Sequence, residues 1–250
     1  MPKSITEKVA LITGAARRVG AEIAKTLHDA GMHIVLHFNT SAEEANQLAQ
    51  QLNQKRPNSA ATVAGDLTDT EVLTSLIQQA VATWGRLDVL VNNASRFYRT
   101  EIGNTSEYAW DDLLTSNLKA PFFLCQGAAP FLAKHHGCIV NIGDIHGSQP
   151  LSGYPVYCIS KAGILMLTKV LAKELAPHVR VNTVSPGVVI WPEGENAVPE
   201  DTKQQIREKT PLAREGSPAD IAQTVLFLVR DANYMTGENI IVDGGRMLAD

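Results

Sequence analysis

A tyrosine, a lysine and an acid lie within the run VNIGDIHGSQPLSGYPVYCISK, residues 140–161. Tyr157 and Lys161 stand four positions apart in a helical pattern, so both project from one face and the ammonium can lie near the phenol. A positive charge there favours phenolate and brings the pKa of the tyrosine from about 10 towards neutral. The spacing therefore indicates a proton donor for hydride transfer, with Asp144 as an unexplained acid upstream.

Short apolar runs alternate with amphipathic stretches, a pattern that predicts parallel strands joined by helices. The predicted strands are 9–12, 33–36, 62–66, 87–91, 138–142, 179–184 and 240–242, and the predicted helices are 19–30, 113–132, 162–175 and 218–229. This order predicts an α/β fold: a doubly wound, mostly parallel sheet with helices on both faces and a ligand crevice at the carboxyl ends of the strands.

One stretch breaks this alternation. Residues 188–212 contain three prolines and many polar residues, and are too long for an ordinary connection. We expect a mobile substrate loop there, with a surface insertion of no consequence as the alternative.

The composition favours a small-molecule enzyme over a polyanion-binding or membrane protein. The chain has 250 residues, 44% of them hydrophobic, which suits one domain over residues 1–250. A net charge of -4 supplies no broad attraction for nucleic acid or anionic lipid. The three cysteines have no C-x-x-C spacing and the seven histidines no metal pattern, so we expect no metal. The apolar run near the N-terminus is too short to span a membrane, and we expect a cytoplasmic protein.

The segment TGAARRVG, residues 13–20, follows the first predicted strand and opens a helix. Glycines at such a turn let backbone N–H groups and the helix N-terminus approach a pyrophosphate. The second strand ends in LHFNTS, without an acid to repel a 2′-phosphate, and Arg17 can reach towards one. NADP(H) is therefore favoured over NAD(H), the alternative being that Arg17 is a solvated surface side chain. Asp66 can accept from an adenine amino group, whereas Asn92 is expected to satisfy backbone groups in a turn.

Several motifs stand in an order that resembles the short-chain dehydrogenase/reductase family. They are TG-x-x-x-x-x-G, NNA at 92–94, Asn117, Tyr157-x-x-x-Lys161 and Ser185-Pro186-Gly187. The resemblance implies a Rossmann-type, seven-stranded sheet, a nicotinamide cofactor, and assembly as a homotetramer or homodimer, of which we expect the tetramer. It also implies that Tyr157 is the acid, that Lys161 holds the nicotinamide ribose and that Asn117 supports a water relay.

Two positions depart from this family pattern together. Arg18 stands where the middle glycine usually lies, and Asp144 where the catalytic serine usually lies. With NNASRFY and LSGYPVYCISK, they make the chain similar to the pteridine reductases, a branch that uses NADPH to reduce dihydropterins and often folates. Bacterial dihydromonapterin reductases are close relatives within that branch.

The departures make chemical sense for a pterin. Reduction of a C=N bond needs hydride at carbon and a proton at nitrogen, whereas a carbonyl reducer needs a neutral donor for a developing alkoxide. Asp144 beside Tyr157 opposes phenolate formation and can relay a proton or accept from pterin N–H groups. The guanidinium of Arg18 can bridge phosphate and pterin. Phe97 offers a ring for stacking, with a core aromatic as the alternative.

The expected site comprises three groups of residues. The catalytic group is Asp144, Tyr157, Lys161 and Asn117. The cofactor group is Gly14, Arg17, Arg18, Val19, His37, Asn39, Ser41, Asp66, Leu67, Asn93, Ala94, Ser95, Tyr157, Lys161, Pro186 and Gly187. Within this group we expect Arg17, Ser41 and His37 to bind the 2′-phosphate, because Thr40 stands where the branch often has a basic residue. The substrate group is Arg18, Ser95, Phe97, Asp144, Tyr157 and Trp191.

Two other functions remain open. The first is reduction of a carbonyl, such as that of a 3-oxoacyl thioester, with Asp144 replacing the hydroxyl by drift. The second is a cofactor-binding sensor or scaffold that no longer catalyses, against which the joint presence of Tyr157, Lys161 and Asn117 argues.

Overall fold

Seven parallel strands form one sheet in the computed structural model, which describes residues 4–192, 194 and 197–248. The strands follow one another in space in the order β3-β2-β1-β4-β5-β6-β7. Every neighbouring pair is parallel. Their bounds are β1 Val9–Ile12, β2 His33–Phe38, β3 Ala60–Ala64, β4 Val89–Asn92, β5 Cys138–Ile142, β6 Arg180–Pro186 and β7 Asn239–Val242.

Helices cover both faces of the sheet because each βαβ crossover must bury an apolar helix face. One core cluster joins the sheet to α1, α2 and α8, and a second joins it to α3, α5 and α6. The bounds are α1 Arg18–Asp29, α2 Ala42–Lys55, α3 Thr70–Trp84, α4 Glu107–Leu114, α5 Ala120–Lys134, α6 Pro155–Glu174, α7 Glu200–Lys209 and α8 Pro218–Arg230. The molecule is a single Rossmann-like α/β domain, as the sequence predicts.

The strand order reverses between β1 and β4, which are neighbours in the sheet but not in the chain. At such a switch point the connections after the two strands leave in opposite directions and open a crevice at the carboxyl edge. The loops that follow β1, β4 and β5 all reach this edge, so the predicted phosphate loop, the NNAS segment and Asp144 share one side of the sheet.

Two strands were predicted with their observed bounds, but the predicted helix 113–132 was wrong in its shape. The helical segment begins at Glu107, and α4 is separated from α5 by a π-helical turn, Thr115–Lys119. The 188–212 stretch is not structureless either, because α7 lies within it. The five residues of the π turn are too few to be recognised from apolar spacing, so the sequence pattern did not reveal it.

A chain of buried side-chain hydrogen bonds crosses the interior from the sheet to α6. Asn92 on β4 donates to the Asn141 side-chain oxygen at 2.8 Å, and Asn141 on β5 donates to the Thr168 hydroxyl of α6 at 2.8 Å. That hydroxyl also lies 2.6 Å from the hydroxyl of Thr183 on β6. We call these four residues the polar chain. It fixes the depth of α6 against the sheet, because a buried polar group without a partner is expensive.

The opposite face of α6 carries exposed apolar side chains, including Ile159, Met166 and Val170. By length and composition α6 could also cross a membrane, but half of the qualifying window is buried inside the domain. That burial is expected of a core helix.

Candidate active site

The loop between β1 and α1 is shaped by two glycines. Gly14 has φ of +60°, and a Cβ there would lie 3.1 Å from Ala94. A Cβ on Gly20 would lie 2.3 Å from the Gly14 carbonyl oxygen, so α1 can pack on the loop only without a side chain at that position. The glycines of TGAARRVG therefore serve the close approach that a phosphate loop requires.

The N-terminus of α1 has no side-chain cap. Its N-cap residue, Arg17, makes no capping hydrogen bond, in contrast to Asp69 at α3 and Ser217 at α8. Uncapped first-turn amides and the helix dipole suit a bound phosphate. Arg18 has φ of +54° and so keeps the left-handed conformation in place of the usual glycine, at a cost of about 1 kcal/mol.

The NNAS segment is fastened to the phosphate loop. The Thr13 hydroxyl accepts from the backbone N–H groups of Asn93 and Ala94, at 2.9 and 3.0 Å. The Asn93 side chain donates to the Thr13 and Gly14 carbonyls. Asn93, not Asn92, therefore satisfies backbone groups here. The turn-capping role predicted for Asn92 is wrong, because its amide faces the sheet interior and donates to the side chains of Asn141 and Cys125.

His37 supports the same loop from β2. Its Nδ1 accepts from the Gly14 N–H at 3.1 Å, and its Nε2 lies 3.0 Å from the Gly65 carbonyl oxygen, which it can only approach as a donor. Burial lowers the pKa of His37, so the neutral ring is favoured. With its side chain 1% exposed and both nitrogens engaged, the imidazole does not show the 2′-phosphate contact expected of it.

The residues expected at the adenosine end lie at the surface beside this loop. Arg17 is exposed and its guanidinium lies 3.5 Å from a carboxylate oxygen of Glu44. Asn39 is exposed and Ser41 half-buried. Hydrogen bonds from Thr68 are the main cause that lowers the pKa of Asp66, which keeps that carboxylate available as an acceptor. Arg17, Asn39, Ser41 and Asp66 are polar side chains of the kind that would hold the adenosine end of a nicotinamide cofactor.

Tyr157 donates from its phenol to the Asp144 Oδ2 at 2.7 Å. Asp144 follows β5, and its other oxygen accepts from the His146 N–H at 2.8 Å, so the carboxyl group is held in place by its own turn. Burial and then Asp144 raise the pKa of Tyr157 well above its ordinary value. The pKa shift towards neutrality expected from Lys161 is therefore not found, whereas the opposition to phenolate expected from Asp144 agrees with the direction of the shift.

Lys161 lies one helical turn after Tyr157, with its ammonium 5.7 Å from the centroid of the tyrosine ring. It donates to the Ile142 carbonyl oxygen at 3.0 Å. Burial lowers its pKa to about 8, which Asp144 partly opposes. A lysine with two further donors beside the crevice can bind hydroxyl groups of a ribose, as the resemblance implies.

Asn117 lies in the π-helical turn and is buried. Its side-chain oxygen accepts from the Arg96 N–H at 2.8 Å, and its amide donates to the Arg96 carbonyl and to the Ser160 hydroxyl. These bonds clamp the segment before Phe97 to the catalytic helix. The structure thus gives Asn117 a positioning role, while the expected water relay stays a prediction.

The Phe97 ring meets the Tyr157 ring edge-on. The centroids of the Phe97 and Tyr157 rings are 4.8 Å apart at 85°, and Phe97 also stacks on Tyr154 at 4.6 Å and 10°. Sequence reasoning missed Tyr154, although its place three residues before Tyr157, at the start of α6, was a usable signal. Aromatic pairs of this geometry hold each other's orientation, so the stack fixes the Phe97 ring beside Tyr157.

The remaining predicted residues lie around the crevice or outside it. Ser95 is exposed, and Pro186 ends β6 before Gly187, where a Cβ would lie 2.8 Å from Asp243. Val19 is half-buried against the core and Leu67 is buried.

Trp191, expected to contact substrate, lies against α7. The Lys203 and Arg207 cations are each 5.8 Å from its ring. Substrate contact by Trp191 stays a prediction.

Comparisons with known proteins agree with this architecture. Residues 14–246 match a family model described as enoyl-(acyl carrier protein) reductase. The chain is 40% identical to pteridine reductase 1 of Leishmania tarentolae, over 99% of each chain. It is 36% identical to the 3-oxoacyl-[acyl-carrier-protein] reductase FabG of Staphylococcus aureus, over 95% of this chain and 97% of the relative. The FabG of Thermotoga maritima is 34% identical, over 96% and 98%.

These relatives span nearly the whole chain, and the parallel sheet, glycine-shaped loop and Tyr157–Lys161 pair are in place for nicotinamide-dependent oxidoreduction. The chain belongs to the short-chain dehydrogenase/reductase family.

Proposed function

We propose that the chain is an NADPH-dependent pteridine reductase, which reduces a C=N bond of dihydropterins such as dihydrobiopterin or dihydromonapterin, and of folate or dihydrofolate. The observation that carries the proposal is the 2.7 Å hydrogen bond from Tyr157 to Asp144. A carboxyl group at this position is suited to delivering a proton to nitrogen and poorly suited to stabilising an alkoxide.

When bound, a reduced nicotinamide supplies the hydride. Residues of this chain hold and deliver the proton. Tyr157 and Asp144 share one across their hydrogen bond, and in the proposed reaction they pass it to the ring nitrogen as the neighbouring carbon is reduced. Solvent then restores the proton to the pair, while Phe97 orients the flat ring beside Tyr157.

The rival function is reduction of a 3-oxoacyl thioester, which the two FabG relatives keep open. Following NADPH oxidation with dihydrobiopterin, dihydromonapterin, dihydrofolate and an acetoacetyl thioester offered separately distinguishes the two. We expect turnover of at least one pterin with kcat/KM at least tenfold above that for the thioester. Activity on the thioester alone would refute the pteridine reductase proposal.

The preference for NADPH should depend on Arg17. Arg17→Ala is expected to raise the Kd for NADPH about tenfold or more, since a charge-assisted contact to phosphate contributes about 1.5–3 kcal/mol. The Kd for NADH should change by less than about twofold, because NADH lacks the 2′-phosphate that Arg17 would bind. Fluorescence titration of both cofactors measures this difference.

Glu44→Gln is the matched control, because it removes the carboxylate 3.5 Å from Arg17 and keeps the arginine. NADPH binding should then stay equal or become tighter. Equal weakening of NADPH and NADH in Arg17→Ala would show that Arg17 acts on the loop and not on the 2′-phosphate.

A pH dependence follows from Lys161. Since burial lowers its pKa to about 8, the ammonium that would hold the ribose is lost as pH rises through that value. We expect kcat/KM for NADPH, which reports the free enzyme, to fall above about pH 8. A profile that stays flat to about pH 9.5 would contradict this.

Unfolding cannot account for such a fall through Lys161. Between about pH 8 and the pKa that Lys161 has in the unfolded chain, the lysine is protonated in the unfolded state and neutral in the folded state. Lys161 therefore makes folding more favourable as pH rises through this range. Circular dichroism melting curves at each pH provide the control.

A further inference from the structure

A continuous row of side chains connects the reacting phenol with a cation at the surface. The Tyr157 and Phe97 rings meet edge-on, and the Phe97 ring stacks on the Tyr154 ring. The guanidinium of Arg99 lies 5.5 Å from the centroid of the Tyr154 ring. Arg99 has a side chain that is 61% exposed. A substrate that reacted at Tyr157 and extended past the edges of Phe97 and Tyr154 would reach Arg99 at its far end. We call these four residues the aromatic row.

The backbone that carries Arg99 is fixed, unlike that of an ordinary surface arginine. The next residue, Thr100, is 3% exposed, and its N–H donates to the Gly153 carbonyl at 2.9 Å. Its hydroxyl accepts from the Val156 N–H at the start of α6. Arg99 is thus tied to the helix that carries Tyr157, and less conformational entropy is lost when a ligand binds it.

The loop before α6 passes close to the guanidinium of Arg99. Gly153 has φ of +82°, and a Cβ there would lie 3.3 Å from Nη1 of Arg99. The turn therefore needs glycine for its conformation, and a side chain at this position would press on the guanidinium.

Among the residues that the structure describes, Glu101 is the carboxylate that pairs with Arg99. Nη1 of Arg99 lies 3.3 Å from Oε1 of Glu101, and both side chains are more than half exposed. Exposed ion pairs contribute little, about 0–1 kcal/mol, so an anionic ligand can displace Glu101. A guanidinium binds a planar carboxylate or a phosphate with two parallel hydrogen bonds, which a lysine cannot do.

We propose that Arg99 is a specificity-determining residue that binds an anionic group at the distal end of the substrate. This proposal rests on the pteridine reductase function. It implies that the site prefers a pterin whose side chain ends in a carboxylate, as in dihydrofolate, over a pterin with a short neutral side chain. A phosphate at the end of a coenzyme A thioester has the same recognition chemistry and is the alternative source of the anion.

The test compares Arg99→Ala with wild type in the full-length protein. For dihydrofolate we expect KM to rise about five- to tenfold with kcat changed by less than about twofold, because a contact far from the reacting atoms contributes equally to substrate and transition state. For dihydrobiopterin both parameters should stay within about twofold. Dihydrofolate affinity, measured by calorimetry in the presence of NADP, should fall by the same factor.

Three further variants sharpen the comparison. Glu101→Gln should lower KM for dihydrofolate about twofold by removing the competitor, and Arg99→Lys should fall between wild type and Arg99→Ala. Arg230→Ala is the matched control, since Arg230 is also partly exposed and paired with a carboxylate, that of Asp231, at the end of α8. It should leave all parameters unchanged.

Equal effects of Arg99→Ala on dihydrofolate and dihydrobiopterin, or no effect on either, would overturn the role of Arg99. A loss confined to acetoacetyl coenzyme A would overturn the carboxylate assignment in favour of phosphate. If wild type reduces no pterin, the proposed function fails by itself, and the calorimetric comparison still decides whether Arg99 binds the dihydrofolate tail.

Discussion

Tyr157→Phe is expected to lower kcat for pterin reduction about a thousandfold or more, while the Kd for NADPH changes by less than about threefold. The phenol lies 2.7 Å from Asp144, and burial and that carboxyl group raise its pKa, so Tyr157 carries a proton at neutral pH. Phenylalanine has no proton to donate to the substrate. Stopped-flow absorbance of NADPH, with cofactor binding by fluorescence, measures both quantities.

Tyr98→Phe is the matched control for this loss. The Tyr98 hydroxyl also donates to a carboxylate, that of Asp112, at 2.8 Å. The substitution therefore removes a similar hydrogen bond outside the catalytic group. We expect turnover within about twofold of wild type. Activity retained in Tyr157→Phe would mean that the proton reaches the substrate from another group, and Asp144 would be the first to test.

Replacing Asp144 should affect pterins and carbonyl substrates differently. Asp144→Ser is expected to lower kcat/KM for dihydropterin about a hundredfold, because the serine cannot relay a proton with Tyr157, and to leave or improve reduction of an acetoacetyl thioester. The ratio of the two kcat/KM values, measured on the same preparation, is the readout.

Asp144→Asn separates charge from shape. The side-chain oxygen of asparagine can still accept from the His146 N–H, so the turn after β5 should remain intact. Its NH2 group would then face Tyr157 and donate to the phenol oxygen, in place of the carboxylate oxygen that accepts from the phenol in Asp144. Loss of the charge removes one cause that raises the pKa of Tyr157, which should therefore move towards its ordinary value. Unchanged pterin turnover in Asp144→Ser would show that the acid has no special role.

Much of the sheet was predictable from sequence because its central strands, such as β1 and β5, are buried on both faces. Continuous apolar runs at 9–12 and 138–142 gave the observed bounds of β1 and β5. Tyr157 and Lys161 were predictable for a similar reason: a spacing of four within a helix forces two side chains onto one face.

Other features depend on tertiary contacts that leave no local pattern. The π-helical turn that places Asn117 is only five residues long and has no sequence signal of its own. The hydrogen bonds of His37 and Asn92 depend on residues that are distant in sequence. His37 contacts Gly14 and Gly65, and Asn92 donates to Asn141 and Cys125. The raised pKa of Tyr157 likewise depends on burial, which the letters of the motif do not encode.

The polar chain also holds α6 in place along its axis. Its hydrogen bonds run across the strands, so a slide of α6 by one residue would separate Thr168 from both Asn141 and Thr183. Pressure or binding on the outer face of α6, around Met166 and Val170, therefore meets a helix that resists displacement along its axis. The position of α6 along its axis, and with it the position of Tyr157 near its start, is therefore held by hydrogen bonds inside the core.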